Sequence, residues 1–421
     1  MRLNKTSFAS LAKAAKAREA HRSLSDGLAG FRAECEASIR VIVDAVRSIN
    51  AAAGVDPLKP QDVARSLRLN KNLTWKVARV LLAHDPFDAI PMLPGPEGVE
   101  IYAKAFESHG ASSDAVQALR DAFRGFDVVV QRHFGSRAEL DLVLDSLRAD
   151  GNLEQSRRLA FRGLSGVFGV QARLRLTSHI LSPSRADPAL FDVSVIAALC
   201  GIRRLRPGIN LPVFRNAMKH GAPGSTAEPL LASGAAQLSD FLIRDFSSFP
   251  EAAVRSIERD GRLMVELAEG PIGKPGESDL VFGTLLPAAY DMFAKPNDRV
   301  AQFLTSISFP AEYFVADLLV HRSIRGPEAH RSSFHGALAG PIDSSFERLV
   351  AAELPIETRS VVVDAAWDSL SVDAMPRYSE LIAAALGRLG QDLADFRLIR
   401  VSMEFPPVPA ALRVGWELPE R

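Results

Sequence analysis

An apolar residue returns at every third or fourth position from Leu28 to Ile49: Leu28, Phe31, Cys35, Ile39, Ile42, Val46 and Ile49, at intervals of 3, 4, 4, 3, 4 and 3. That spacing holds one stripe on one side of an α-helix for about six turns, and a β-strand, which alternates with period two, cannot present it. Such a stripe must be covered. The helix either packs on the segment that follows or pairs with its own copy, and packing within the chain is the expectation. Ser25 or Asp26 is placed to cap its start, and Gly54 is placed to end it. Cys35 lies on the stripe and reads as a buried apolar residue, not a reactive thiol.

The next stretch, Pro60 to Leu82 (PQDVARSLRLNKNLTWKVARVLL), divides into two short helical halves. Pro60 suits a first helical turn, where its missing N–H is not needed. Val63, Ala64 and Leu67 face inward in the first half, and Leu69 and Asn70 supply a turn. In the second half Leu73, Val77, Val80 and Leu81 form the apolar side. Lys71, Lys76 and Arg79 remain for the other side, with Thr74 and Trp75 beside them. This stretch resembles the helix-turn-helix of bacterial transcriptional regulators. The small Ala64 sits where that motif needs close helix approach, Leu69 at its apolar turn position and Val77 at its inward position. The resemblance departs at Arg68, where the family has glycine in a left-handed turn, and at Thr74, where it has an aliphatic residue. The likeness implies a DNA-reading surface of Arg68, Lys71, Asn72, Thr74, Trp75, Lys76 and Arg79. Asn72 and Thr74 would touch base edges, and the cations would hold phosphates.

Charge is distributed in keeping with that expectation. The chain of 421 residues has 50 Lys and Arg and 50 Asp and Glu, so its net charge is zero. Met1 to Asp85 holds 15 Lys and Arg against 8 Asp and Glu, a surplus of +7, which leaves −7 for the remainder. A basic head on an acidic body fits a DNA-binding module joined to a separate one. No apolar run is long enough to span a bilayer, and the first 22 residues lack the apolar segment of a secretory signal, although their Arg, Lys, Ser and Ala content is similar to a transit peptide. Two cysteines cannot build a disulfide framework, so a reducing cytoplasm is expected.

After Leu82, Pro86, Pro91, Pro94 and Pro96 call for an irregular connector, and no hairpin pattern supports a wing. Helices are expected over Val99–Ser108, from Ser112 or Ser113 to Gly135, after the capping box Ser136–Glu139, and over Leu153–Val170. The texture then changes. VQARLRLTSHIL and FDVSVIAAL read as strands or buried helix. The basic run Gly201–Pro212 carries Arg203, Arg204 and Arg206, which read mainly as a solvated or salt-bridged edge, with an anionic ligand as the alternative. Gly221–Gly234 reads as a loop, Ala235–Phe246 and Glu251–Glu258 as short helices, and Glu269–Asp279 as a mobile loop. Its Gly-Lys pair lacks the phosphate-loop pattern, because Pro275 stands where Ser or Thr is needed. Leu280–Leu286, Ser306–Phe309, Phe314–Val320 and Ser360–Ala365 are strand candidates, and Tyr378–Leu389 is an amphipathic helix closed by Gly390. Phe396–Phe405 and Ala411–Leu418 flank a proline-rich turn and suggest a small antiparallel sheet.

Enzyme signatures are missing from the sequence. GLSGV at 163–167 is not a nucleophile elbow, and neither HExxH nor GxGxxG occurs. His321, His330 and His335 with Glu328 have no metal-ligand spacing and are expected on a polar loop. No metal and no cofactor are expected. The fold class is α+β: a mostly helical N-terminal region containing the helix-turn-helix, then a mixed body with a small antiparallel sheet. The expected segments are a basic arm (1–24), the helix-turn-helix region (25–97), a helical linker domain (98–170) and an effector or association domain (171–421). The expected function is a DNA-binding transcriptional regulator, partnered by double-stranded DNA, a second copy of itself and a small-molecule effector. A scaffold protein whose hairpins only pack is the alternative, and an enzyme of a class without short motifs comes third.

Overall fold

A computed structural model describes residues 30–146, 153–209, 211–217, 227–231, 238–249, 254–259, 262–296, 299–337 and 352–421. The chain divides into two compact units, Met1–Leu147 and Arg148–Arg421. The fold is mixed α+β. The basic arm, the first helix caps and most of Gly221–Gly234 lie outside the described residues.

The first unit is helical throughout its described residues: α1 (30–52), α2 (Pro60–Ser66), α3 (Lys71–Leu82), α4 (Pro86–Ala89), α5 (Pro96–Ser108), α6 (Ser113–Phe134) and α7 (Arg137–Ser146). The stripe of α1 from Phe31 to Ile49 is buried in one core with Val63, Val77 and Val80, Phe106 of α5, Phe126 of α6 and Leu140 of α7. Each such side chain contributes about 1.5–3 kcal/mol through the apolar surface it removes from water. Asn50, wholly buried at the end of the stripe, donates to the Val46 carbonyl at 2.7 Å and the Tyr102 hydroxyl at 2.8 Å, tying α1 to α5. Arg120 on α6 forks Glu100 on α5 at 3.0 and 2.9 Å. Ser112 accepts from the Ala115 N–H, and Gly135, at φ 78°, ends α6 as expected.

These contacts correct the expected segmentation. Helices α5 to α7 share a core with α1 to α3, so 98–147 is not a separate linker domain, and the boundary falls near 147 instead of 170. The helix that follows, α8 (Glu154–Phe168), belongs to the second unit.

The second unit is built on a seven-stranded sheet, larger than the small sheet expected. Its strands are β1 (Val170–Pro183), β2 (Leu190–Arg204), β4 (Glu228–Pro229), β7 (Ser278–Asp291), β9 (Ala311–His321), β11 (Ser360–Asp364) and β12 (Phe396–Glu404). The order is β11-β12-β9-β1-β2-β7-β4, antiparallel except for the parallel pair β1–β9. Two three-stranded sheets accompany it. One orders β10 (Arg331–Gly336), β13 (Ala410–Glu417) and β8 (Val300–Ile307); the other orders β3 (Leu211–Ala217), β6 (Arg262–Leu267) and β5 (Val254–Arg259). Side chains alternate across the large sheet. One set (Leu174, Leu176, Val315, Leu319, Leu398) packs with Leu381, Ile382 and Leu386 of α9 (Tyr378–Leu389). The other (Phe314, Ala316, Leu318, Ile399, Val401) packs with Phe303, Leu412 and Trp416 of the β8–β13 layer.

Three expectations change here. Phe396–Phe405 and Ala411–Leu418 are strands but do not pair. Both edges of β12 are taken by β9 and β11, so the chain crosses to the other sheet, where β13 joins β8 and β10. Residues 254–258, expected as helix, form β5, because Val254 to Arg259 find a complete antiparallel partner in β6. The stretch 269–279 is pinned and not a free loop: Gly273 donates to the Arg204 carbonyl at 2.8 Å, and Gly276 to Gly273 at 3.1 Å.

Candidate nucleic-acid interface

The join between α2 and α3 is set by local backbone chemistry. The Leu69 N–H donates to the Ala64 carbonyl at 2.9 Å, and Arg68 between them holds φ 52°. This is the six-to-one bond of a Schellman turn, and it requires a left-handed residue. Arg68 therefore adopts the conformation for which glycine is favoured, although it is not glycine. Asn70 then caps α3, its side chain accepting from the Asn72 N–H at 2.8 Å.

Helix α3 is sorted by side. Setting Lys71 at zero and turning 100° per residue, Lys71, Asn72, Trp75, Lys76 and Arg79 fall within about 140° of arc. All five are exposed. Thr74, Val77, Ala78 and Val80 are buried on the remaining arc. Trp75 is 49 % exposed, and the Arg79 guanidinium lies 5.5 Å from its ring centroid, a cation–π stack on the surface. Arg68 is exposed in the turn just before.

Thr74 is the correction. It is 2 % exposed, and its hydroxyl donates to the Lys71 carbonyl at 3.1 Å. Its place on the inward arc, about 100° from Trp75, follows from the helical period. As placed, its hydroxyl offers nothing to a duplex. The other six expected residues are exposed, Lys71, Asn72, Trp75, Lys76 and Arg79 on one arc of α3 and Arg68 in the turn before it. Among the described residues of this unit there is no strand that could form a wing.

The second unit holds a polar constellation that the sequence reading missed. Ser178, Asp317 and Arg400 stand opposite one another across β1, β9 and β12. The Tyr378 hydroxyl, from the first turn of α9, donates to Asp317 Oδ2 at 2.7 Å and lies 2.5 Å from Ser178 Oγ. Burial and the Asp317 charge push Tyr378 well above its ordinary pKa, so it stays a neutral donor. Burial pulls Arg400 down, but its hydrogen bonds to Asp317 outweigh that and the net direction is up. The one available signal was an aspartate inside the apolar run Phe314–Val320.

The histidines are held separately. His335 is buried on β10 with its Nε2 2.8 Å from Ser333 Oγ, not on a polar loop. His330 Nε2 lies 2.9 Å from Ser360 Oγ, and His321 Nδ1 2.7 Å from Ser323 Oγ. Among the described residues no group of three or more His, Cys, Asp or Glu is placed to hold a metal ion. Likewise among them, no helix is long and apolar enough to cross a membrane.

No family model matches the chain, and no curated protein matches it. Among solved structures, similarity is found to the M1 zinc metallopeptidase from Deinococcus radiodurans, at 10 % identity and TM-score 0.24 over 59 % of this chain and 42 % of that one. A two-domain M1 zinc metallopeptidase mutant bound to L-tryptophan gives the same identity and TM-score over 59 % and 43 %. The chain thus spans less than half the length of these enzymes, and a likeness this slight carries no argument about fold or activity.

Proposed function

We propose that the first unit binds double-stranded DNA through α3, as the recognition element of a helix-turn-helix, and that the protein is a transcriptional regulator whose second unit senses a ligand or joins two copies. The observation that supports this reading is the sorting of α3: its polar and basic side chains occupy one exposed arc, behind a tight left-handed turn at Arg68. A helix presented in this way fits the major groove, with Asn72 able to reach base edges and Lys71, Lys76 and Arg79 placed for phosphates. The basic surplus of residues 1–85 would draw the duplex to this end of the chain.

The test is fluorescence anisotropy of the full chain on a random-sequence duplex across a salt series, beside Lys71→Glu/Lys76→Glu. Three or four phosphate contacts give a slope of log affinity against log salt of about −3, and charge reversal should abolish binding. A folded protein that ignores DNA at low salt would end this reading. A second reading has one observation of its own: Leu82 and Trp75 are exposed on the same side of α3. An apolar pair among cations also suits a protein partner, as in a scaffold. It expects the charge-reversed variant to keep its partner.

A further inference from the structure

The arginines of Gly201–Pro212 have three different environments. Arg203 is paired with Glu277, Nε and Nη2 both at 2.6 Å. Arg206 is exposed and donates to the Val167 carbonyl at 2.8 Å. Arg204, the last residue of β2, is only 2 % exposed, and its side chain is among the largest of the wholly buried ones. Its Nε donates to the Ala268 carbonyl at 3.1 Å, and Nη2 donates to the same oxygen. Among the described residues no carboxylate pairs with it. A guanidinium carries five N–H donors, and among the described residues the Ala268 carbonyl is the one acceptor, which leaves the Nη1–Nη2 edge open. Burial lowers the Arg204 pKa, and no acid offsets it.

Arg204 lines a pocket of about 460 Å³ together with Ser248, Glu269, Gly270, Glu277 and Ser278, among others, and Gly270 of that lining lies against its Nη1. The wall is built closely around the guanidinium. A Cβ on Gly270 would stand 2.8 Å from Nη1, so an added methyl would push the guanidinium from its present place. The strap 268–277 is fastened to the same residue through Gly273 N–H on the Arg204 carbonyl. Of the two acids in the wall, Glu277 is neutralised by Arg203, and Glu269 is exposed.

A buried cation without a counter-charge is costly, and the cost falls when an anion enters. We infer that this pocket is a binding site for a small organic oxyanion, a carboxylate or a phosphate ester, held by the free edge of Arg204. The guanidinium fork matches either group in two parallel hydrogen bonds. The site lies wholly within the second unit and stands apart from the DNA-binding reading.

The test measures thermal stability and calorimetric binding of the full chain with acetate and with inorganic phosphate, against sodium chloride at equal ionic strength. The proteins compared are wild type, Arg204→Lys, Gly270→Ala and Arg206→Gln. Saturable binding in wild type and Arg206→Gln, at least tenfold weaker in Arg204→Lys and Gly270→Ala, is the expected result. If Arg204→Lys does not fold, Gly270→Ala, which keeps the arginine, decides. Stabilisation of equal size in every protein, or none beyond that of chloride, would overturn the inference.

Discussion

Asp317 on β9 and Arg400 on β12 meet as a fork: Nε donates to Oδ1 at 2.8 Å and Nη2 to Oδ2 at 2.7 Å, with the carboxylate wholly buried and the guanidinium side chain 19 % exposed. Each half of the pair needs the other. Removing the cation alone leaves a desolvated carboxylate, so Arg400→Ala should cost about 3–5 kcal/mol. Replacing both with leucine removes the stranded charge and should cost less than Arg400→Ala alone. Tyr378→Phe deletes one donor to Asp317 and should cost about 1–3 kcal/mol. Urea unfolding of the three variants measures all of this. A double variant as damaged as Arg400→Ala, or more so, would show that the stranded Asp317 charge is not what makes Arg400→Ala costly.

His179 gives the protein an acid-sensitive interior. It is buried on β1 beside Phe303, ring centroids 5.7 Å apart, and burial together with the Arg175 charge lowers its pKa to about 4. In the unfolded chain it titrates near 6.5, so between about pH 6.5 and 4 the unfolded state binds more protons. Stability therefore rises with pH across that window and falls on acidification. From pH 7 to pH 5 the contribution is about 2 kcal/mol. Denaturant titrations at the two pH values should show wild type losing that much more than His179→Gln. Equal losses would mean His179 is protonated at no cost in the fold.

Much of the first unit was legible because it obeys one period. The stripe from Phe31 to Ile49 needed only the 3.6-residue repeat to be recognised, and all six of its described residues are buried. The second unit was legible in its parts and not in its assembly. The strands β1, β9, β12 and β13 each show in the sequence. The parallel pairing of β1 with β9 does not, because it joins segments more than a hundred residues apart through no local signal. Residues 254–259 misled for the same reason: Glu and Arg favour a helix, and only the presence of β6 makes the segment a strand. Of the candidate interface, the cations were legible as a set. Thr74 is next to Trp75 in sequence but about 100° from it around the helix, which puts it on the buried arc. Asp317 showed only as an acid inside an apolar run, and its partnership with Arg400 had no signature, since it exists only in the register of two strands.

The two thiols should be chemically silent in the folded protein. Burial, with a lesser push from Asp85 for Cys35 and from Asp279 for Cys200, raises both to about 12. The nucleophile is the thiolate, and at pH 8 it is all but missing at either site. A disulfide-exchange reagent should titrate no thiol within minutes in buffer and two in guanidinium. A thiol that reacts at once in the native protein would place one of them at the surface.

Arg68 separates stability from binding. Its φ of 52° costs an L-residue about 1–2 kcal/mol and costs glycine far less, while the side chain is exposed and takes part in no salt bridge among the described residues. Arg68→Gly should therefore stabilise the first unit by about 1 kcal/mol, a gain reduced somewhat by the greater freedom of glycine in the unfolded chain. If α3 reads DNA, the same change removes one cation next to the helix and should lower the salt slope of binding by about one unit. A more stable protein that binds DNA more weakly is the expected pair of results, from thermal unfolding and from anisotropy. A destabilised variant would show that the turn does not need its left-handed residue. An unchanged salt slope would mean that Arg68 stands away from the phosphates, and the contact would then rest on Lys71, Lys76 and Arg79.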